Sequence, residues 1–228
     1  MYGVSVGHIS KSFVRVFYST CGARLPISSD AMIEIEKEIK FMIDTSFLQK
    51  LYLDTLTNNT QFEVKSVGEH LIVYYDYGRV LRDRGDTFRL TYRKDRNRGT
   101  YKVTEGKEGV MRVCTEYHFP FTKEVNPFRK RIEIYSEDIK HMLPYPHMER
   151  TCWVRVTRTK ALLDGMPVEI DECKIPLLNG GYKKSTYYEV EIEDTVPSTE
   201  WIDKMKTLGM FEESLKNKYQ TVYDIIYG

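Results

Sequence analysis

Two stretches in which glutamate alternates with apolar residues decide the fold: "IEIEKEIKF" at Ile33–Phe41 and "YYEVEIE" at Tyr187–Glu193. Successive side chains of a β-strand point to opposite faces, so each stretch predicts a strand with one apolar and one charged face. In the second stretch the charged face carries Glu189, Glu191 and Glu193. Like charges on alternate positions of a strand lie about 7 Å apart and repel each other. Such a face needs compensation from a cation, from an opposing basic strand, or from both.

The first stretch also matches an amphipathic helix, because Met32, Ile35, Ile39 and Met42 repeat at helical spacing. The alternation of Glu with Ile and the β-branched content favour a strand instead. Its charged face then carries four side chains: Glu34, Glu36, Glu38 and Lys40.

The composition is that of an ordinary folded protein. Charged residues make up 29% and aromatic residues 13%, which excludes the disordered and fibrous classes. We expect a single domain over residues 1–228, long enough to bury a sizeable core. Because the net charge is only +1, the placement of the charges, and not their sum, bears on a polyanionic partner.

The cysteines and the hydropathy point to an intracellular protein. Cys21, Cys114, Cys152 and Cys173 are widely spaced and form no CxxC motif, which indicates reduced thiols. The N-terminus shows no leader, and no stretch approaches the roughly 18 apolar residues of a membrane span. We expect the protein in the nucleus or cytoplasm, away from membranes.

Between Gln61 and Glu193 most of the chain consists of short alternating segments rich in Val, Ile, Thr, Tyr and Phe, which predict β-strands. Turn signals lie at "NRG" (Asn97–Gly99), Asp164-Gly165 and "NGG" (Asn179–Gly181). Residues 1–30 predict one strand, at "GVSVG" or "FVRVFYS", followed by a loop at "ARLPISSD". Strands at this spacing suggest an antiparallel barrel or sandwich.

Three helices are predicted outside these strands. Asp44–Leu56 has N-cap candidates in Thr45 and Ser46, and an apolar face formed by Phe47, Leu48, Leu51 and Leu56. After Pro197 a helix begins with Ser198 as cap, and a second covers residues 211–226.

Several central strands carry basic residues on their polar face: Arg89 and Arg93, Arg129 and Arg131, and Arg158 and Lys160. Taken singly, each is an ordinary solvated face. Opposite the glutamates, they would neutralise phosphate while four or five carboxylates hold Mg²⁺ or Mn²⁺, ions that prefer oxygen ligands. That combination suits phosphoanhydride hydrolysis.

Other chemistries lack their motifs. There is no P-loop, no GxGxxG and no GxSxG, and the five histidines form no HExxH pattern. Each histidine is more typical of a surface or hydrogen-bonded residue than of a ligand: His8, His70, His118, His141 and His147.

The ExExKF motif at Glu36–Phe41 and YEVEIE at Tyr188–Glu193, with basic strands between them, resemble the triphosphate tunnel metalloenzyme superfamily. Within it the chain is most similar to the metal-dependent RNA 5′-triphosphatases of mRNA capping in fungi, protists and large DNA viruses. The resemblance implies a mainly β (α+β) fold, a closed antiparallel eight-stranded β-barrel with flanking helices. The barrel would span about residues 30–195 and the C-terminal helices about 198–227.

The resemblance also implies roles for single residues. The metal site for Mg²⁺ or Mn²⁺ would consist of Glu36, Glu38, Glu189, Glu191 and Glu193. The direct ligands would include Glu36, Glu38 and Glu193, whereas Glu189 and Glu191 would hold the attacking water or support the direct ligands, with Glu191 as the catalytic residue. The catalytic basic residues would be Arg89, Arg131, Arg158 and Lys160. These four would bind substrate together with Lys40 and Asp171, which would brace a basic side chain. Arg129 or Lys130 competes with Arg131, and Arg155 with Arg158.

The function so implied is removal of the γ-phosphate from 5′-triphosphate RNA, followed by a guanylyltransferase on another chain or on a removed part of this one. Relatives occur as monomers or homodimers, and a viral protein would work in the viral factory or virion. The alternative is another member of the superfamily: a phosphohydrolase acting on inorganic tripolyphosphate, thiamine triphosphate or nucleoside triphosphates, a class IV-type adenylate cyclase, or a polyphosphate polymerase. A β-sandwich interaction or capsid module with a charged surface is the non-enzymatic alternative.

Overall fold

The computed structural model describes residues 15–17, 24–26, 32–120, 126–127, 129–135, 143, 147–176 and 185–228. Predictions for Cys21, His8, His141, the "GVSVG" segment and the "NGG" turn lie outside the described residues. The strands are β1 Arg15–Phe17, β2 Arg24–Pro26, β3 Met32–Ile43, β4 Phe62–Asp76, β5 Thr87–Tyr92, β6 Asn97–Glu108, β7 Met111–Pro120, β8 Arg131–Tyr135, β9 His147–Leu163, β10 Met166–Ile175, β11 Ser185–Glu193 and β12 Met210–Glu213. The helices are α1 Phe47–Leu56, α2 Val80–Arg84, α3 Thr199–Leu208 and α4 Lys218–Tyr227.

Eight antiparallel strands close into a barrel, in the order β3-β7-β6-β5-β4-β9-β10-β11, with β11 pairing back to β3. Closure removes the free edges that an open sheet would expose. Strand β8 lies outside this ring: it pairs with the first residues of β9 and continues into β1 and β2. Strand β12 adds to β3. The predicted fold class is therefore confirmed, whereas β2 falls in a segment predicted as a loop.

The alternation in "IEIEKEIKF" sorts charge to the inside of the barrel and apolar side chains to the outside. Glu38 and Lys40 are buried in the interior, while Ile39 and Phe41 join the apolar cluster under α1 and α3. In the register of β3 and β11, Glu38 lies opposite Glu193 and Lys40 opposite Glu191. The strand interpretation is confirmed, and the two glutamate stretches are neighbours.

Helices α1 and α3 cover this outer face. Phe47 and Leu51 of α1 are buried, but Leu48 and Leu56 are exposed, so the apolar face of α1 is narrower than predicted. Ser46 occupies the N-cap position without capping the helix, because its hydroxyl donates to Asp44 Oδ1 at 2.7 Å. The expected cap of α3 is confirmed. Its Ser198 Oγ accepts the Trp201 N–H at 3.1 Å. None of the described helices is long and apolar enough to span a membrane.

The C-terminal helix α4 closes one end of the barrel. Tyr219 and Val222 pack inside it in a cluster with Tyr74, and the Tyr219 hydroxyl donates to Asp76 Oδ2 at 2.8 Å. The prediction of a helix over residues 211–226 was wrong in its first half, because Met210–Glu213 pairs with β3 as β12. The helix begins after Asn217, where the Asn217 and Gln220 side chains cap each other's backbone N–H.

Two hairpins lie at the opposite end of the barrel. Asp164 and Gly165 both adopt positive φ, as a two-residue turn requires, which confirms that signal. The "NRG" signal was wrong: these residues open β6, and the turn is at 93–96, where the Arg93 N–H donates to Arg96 O at 3.2 Å.

Gly99 is needed for packing, because a Cβ there would lie 2.0 Å from the Phe119 ring.

Gly99→Ala should destabilise the barrel by about 1–3 kcal/mol, since Phe119 is buried and has no room to retreat. The measurement is urea unfolding followed by circular dichroism. Gly68→Ala is the matched control, since its Cβ would meet His70 Cε1 at 3.4 Å, an ordinary contact, and we expect a change within about 1 kcal/mol. Equal stability of the two variants would contradict this account of β6 and β7 packing.

Candidate active site

The barrel encloses a charged tunnel that α4 closes at one end. At the other end a cavity of about 670 Å³ reaches the β5–β6 hairpin and the first half of β4. Carboxylates from β3 and β11 and basic side chains from β5 and β9 line it. The hydrophilic interior follows from the alternation in the sequence, because every inward position of these strands is polar at this level of the barrel.

Glu36, Glu38 and Glu193 form an acidic wall where β3 pairs with β11. Burial, together with Glu38 and Glu116, raises the pKa of Glu36 to about 8 despite Lys102 nearby. Glu193 lies where the wall meets solvent. Partial burial and the neighbouring Glu169 and Glu191 raise the pKa of Glu193. Burial and the crowding of carboxyl groups therefore favour the protonated form of Glu36 and Glu193.

The acidic wall fits a hard divalent cation. Its ligand atoms are all carboxylate oxygens, the donors that Mg²⁺ and Mn²⁺ prefer. The raised pKa of Glu36 favours a proton on its carboxyl group near neutral pH, and a divalent ion would replace that proton. By contrast, Glu38 has a lowered pKa, because Lys102 and Lys40 outweigh its burial. These three residues are those expected to ligate the metal directly.

Glu189 and Glu191 lie deeper, among basic side chains. Lys40 Nζ lies 2.7 Å from Glu191 Oε1, and Lys218 Nζ lies 2.7 Å from Glu189 Oε1. Arg158 donates to Glu191 Oε2 at 2.6 Å. Lys218, Lys40 and Arg158 together hold the pKa of Glu191 well below its usual range, although its burial acts in the opposite direction. The basic neighbours keep Glu191 ionised, whereas burial outweighs Lys218 and Lys40 at Glu189 and raises its pKa.

Asp171 braces two of these cations at the same level. It accepts two hydrogen bonds from Arg158, at 2.8 and 2.7 Å, and one from Lys218 at 2.5 Å. Ligand atoms of Asp171, Cys173 and Glu189 lie within 4.8 Å of one another, and this is the group of metal-binding size found among the described residues. Burial raises the pKa of the Cys173 thiol well above its usual value, and Lys218 supplies the positive charge there.

Strands β5 and β6 provide the facing basic wall. Lys102 forms ion pairs with Glu36 and with Glu38, the latter at 3.1 Å, and also with Glu116 at 3.3 Å. Arg89 is buried beside Glu116, with 3.3 Å between Nη2 and Oε1. The Nε atom of Arg89 is buried and has no hydrogen-bond partner among the described residues. That donor is available to an anionic oxygen.

The structure brings most of the predicted residues together. Lys40, Arg89, Arg158 and Asp171 lie inside the tunnel with the five glutamates, and Lys160 lies at its mouth, paired with Glu169. The exposed Arg155 does not enter the tunnel, so Arg158 is the basic residue that β9 places in the interior.

Arg131 is the exception, and the expectation that it lies in the tunnel is corrected. Its side chain is 64% exposed on β8, outside the barrel, and pairs with Glu149 at 2.8 Å. Arg129 and Lys130 precede β8 and lie outside the barrel with it. Alternation predicted a charged face for β8 but could not tell whether that face points into the barrel.

Sequence reasoning missed three residues of the site. Lys102 and Glu116 follow a detectable signal, since each alternates with polar inward residues on a predicted strand. Lys218 has no such signal, because it begins a helix whose sequence is that of an ordinary amphipathic segment. Only the docking of α4 into the barrel brings it to the glutamates.

Solved structures share this architecture. HpAC1 from Hippeastrum, a proposed adenylyl cyclase described as having a dominant triphosphatase activity, matches with a TM-score of 0.56 and 16% identity, over 84% of this chain and 96% of that chain. A proposed adenylate cyclase from Bacillus halodurans matches with a TM-score of 0.57 and 13% identity, over 84% of this chain and 98% of that chain. With its closed barrel and charged interior, this chain has a triphosphate tunnel fold.

One further solved structure matches at a much lower similarity. The Pct1 RNA triphosphatase of S. pombe also matches, but with a TM-score of 0.39 and 7% identity, over 78% of this chain and 82% of that chain. That similarity is too low to bear on function. No protein-family model and no curated protein matches the sequence.

Lys218→Met should destabilise the protein by about 3–5 kcal/mol, because Asp171, Glu189 and Glu191 would lose a buried partner. Urea unfolding of the metal-free protein measures the change. Lys216→Met is the matched control: this side chain is 61% exposed and pairs with Asp224, so we expect a loss of at most about 1 kcal/mol. Equal losses would show that Lys218 is not seated in the tunnel.

Proposed function

We propose that the protein is a metal-dependent RNA 5′-triphosphatase, which hydrolyses the γ-phosphate of 5′-triphosphate RNA and leaves 5′-diphosphate RNA, the first step of mRNA capping. The observation that carries the proposal is the opposition of two charged walls in one tunnel. The carboxylates of Glu36, Glu38 and Glu193 line one wall, and the buried Arg89 lines the other. Arg158 lies beside them, and a triphosphate with its metal fills such a space with matching charge.

In this proposal the basic residues exchange carboxylate partners for phosphate oxygens. Arg89 and Arg158 present planar guanidinium groups suited to bidentate contact with phosphate, whereas Lys40, Lys102 and Lys218 act as point charges. Burial strengthens these contacts because no water screens them. Phosphoryl transfer depends almost entirely on such positioning and charge stabilisation.

Glu36, Glu38 and Glu193 hold the Mg²⁺ or Mn²⁺. When bound, the ion supplies Lewis-acid polarisation of a phosphoryl oxygen and neutralises charge that develops during transfer. Glu189 and Glu191 instead hold Lys40, Lys218 and Arg158 in place, and their role as ligands stays a prediction. So does the orientation of the attacking water by Glu191, for which its low pKa is suitable, since an ionised carboxylate accepts a hydrogen bond from water.

The closed end of the tunnel supports a substrate that enters by its triphosphate end. This geometry also suits the second candidate, a phosphohydrolase for inorganic tripolyphosphate, thiamine triphosphate or nucleoside triphosphates, because a blind tunnel admits any such terminus. If RNA is the substrate, the 5′-diphosphate product must pass to a guanylyltransferase. The sequence contains no KxDG motif, so that activity would lie on another chain or on a part of the protein outside this sequence.

Release of labelled phosphate from γ-labelled 5′-triphosphate RNA tests the proposal. With Mg²⁺ or Mn²⁺ the wild type should release phosphate, and Glu193→Ala and Arg89→Ala should each lose about 100-fold or more in kcat. Arg131→Ala is the matched control for Arg89→Ala and should retain the wild-type rate, because Arg131 lies outside the barrel. Full activity of folded Glu193→Ala would remove the proposal.

Inorganic tripolyphosphate and ATP, measured in the same assay, separate the two candidates. A kcat/KM that favours 5′-triphosphate RNA supports the capping role. Metal-dependent hydrolysis of tripolyphosphate without release from RNA would keep the site and transfer the function to the second candidate.

A further inference from the structure

The β5–β6 hairpin at the tunnel mouth carries positive charge that the tunnel chemistry does not use. We name this hairpin surface, formed by Arg93, Lys94, Arg96 and Arg98, the basic rim. Asp95 is the one acidic residue within it. Arg96 is exposed at the tip of the turn, whereas Arg93 and Arg98 are half-buried and line the mouth cavity. The basic rim therefore lies between the triphosphate site and solvent.

Other cations surround Arg93 of the basic rim. Burial lowers the pKa of Arg93, and Arg98, Arg96, Arg158 and Arg89 lower it further. The Nε atoms of Arg93 and Arg98 are buried without a hydrogen-bond partner in the described part of the chain. A buried donor without a partner is costly, so these two Nε atoms indicate an anionic ligand at the mouth.

A neutral histidine ring lies in the same cavity as the basic rim, at the tunnel mouth. His70 of β4 lines the same cavity, and burial, followed by Arg93 and Arg158, lowers its pKa to about 4, so the ring is neutral near pH 7. The Nδ1 atom of His70 is buried without a partner among the described residues. A neutral imidazole offers a flat face on which a nucleobase can stack.

We propose that the basic rim binds the phosphodiester backbone of RNA directly after the 5′-triphosphate, and that the His70 ring stacks on the first base. This inference rests on the proposed function and names the substrate as a polynucleotide instead of a free triphosphate. A chain whose triphosphate occupies the blind tunnel must leave through the mouth, so its next phosphates pass the hairpin. A basic groove beside a base-stacking surface is the general arrangement for single strands bound without sequence preference.

The test compares Arg93→Gln/Arg96→Gln with Lys50→Gln/Lys206→Gln, which removes the same charge from exposed positions on α1 and α3. The first variant should lower kcat/KM for a 5′-triphosphate RNA of about a dozen nucleotides by about tenfold or more, because two backbone contacts are lost. Its hydrolysis of inorganic tripolyphosphate should stay within about twofold of wild type. The control variant should change neither.

A second readout does not require RNA hydrolysis. A 5′-hydroxyl RNA of the same length should inhibit tripolyphosphate turnover, and Arg93→Gln/Arg96→Gln should raise its inhibition constant by about tenfold or more. The slope of log inhibition constant against log salt should fall by about 0.7 for each phosphate contact removed. His70→Ala should weaken the inhibition with little change in that slope, since it removes stacking and no charge.

The outcomes separate the two proposals. Loss of RNA inhibition in the rim variant supports the rim even if 5′-triphosphate RNA is not hydrolysed, in which case only the proposed function fails. Equal RNA hydrolysis and equal inhibition in wild type and rim variant would overturn the rim proposal and leave the triphosphatase intact. The rim proposal would also be wrong if the rim variant is no longer inhibited by long-chain polyphosphate while its inhibition by RNA is unchanged.

Discussion

The structure depends on the burial of two neighbouring glutamate strands inside a closed barrel. Glu38 and Glu191 are almost fully buried, and a buried carboxylate is tolerated only with a partner. Three other elements therefore supply cations to this pair of strands: Lys102 from β6, Arg158 from β9 and Lys218 from α4. The order of the strands, the docking of α4 and the charged interior are consequences of this one requirement.

Charge is not balanced evenly along the tunnel. At the closed end, Lys40, Lys218 and Arg158 form a tight network of ion pairs with Asp171, Glu189 and Glu191. At the acidic wall, burial and the neighbouring Glu38 and Glu116 raise the pKa of Glu36 to about 8 despite Lys102. At the β5–β6 hairpin, other guanidinium groups surround Arg93 and lower its pKa. The proposed divalent cation at the wall and the proposed polyanion at the hairpin would each stabilise charges that the protein alone leaves unfavourable.

Much of this could be predicted from the sequence, because strand alternation alone decides which side chains share a face. The barrel, the inward Glu38 and Lys40, and the adjacency of the two glutamate stretches follow from it, once the resemblance to tunnel enzymes fixes the closure. The failures have physical causes. Arg131 has the same alternation as a tunnel strand, but β8 pairs outside the ring. Residues 211–213 look helical yet pair with β3, and Lys218 reaches the tunnel only through long-range packing.

The measurement that tests the central claim most directly is the thermal unfolding midpoint of the metal-free protein, with Mn²⁺, tripolyphosphate, or both added. A ligand that binds only the folded state raises its stability with concentration. If the tunnel's opposed charges require a cation together with a polyphosphate, the two ligands together should raise the midpoint by more than the sum of their separate effects, and Glu36→Gln should reduce this excess. A midpoint unmoved by either ligand or by both would contradict the account, because the buried carboxylates and guanidinium groups would then serve the fold alone.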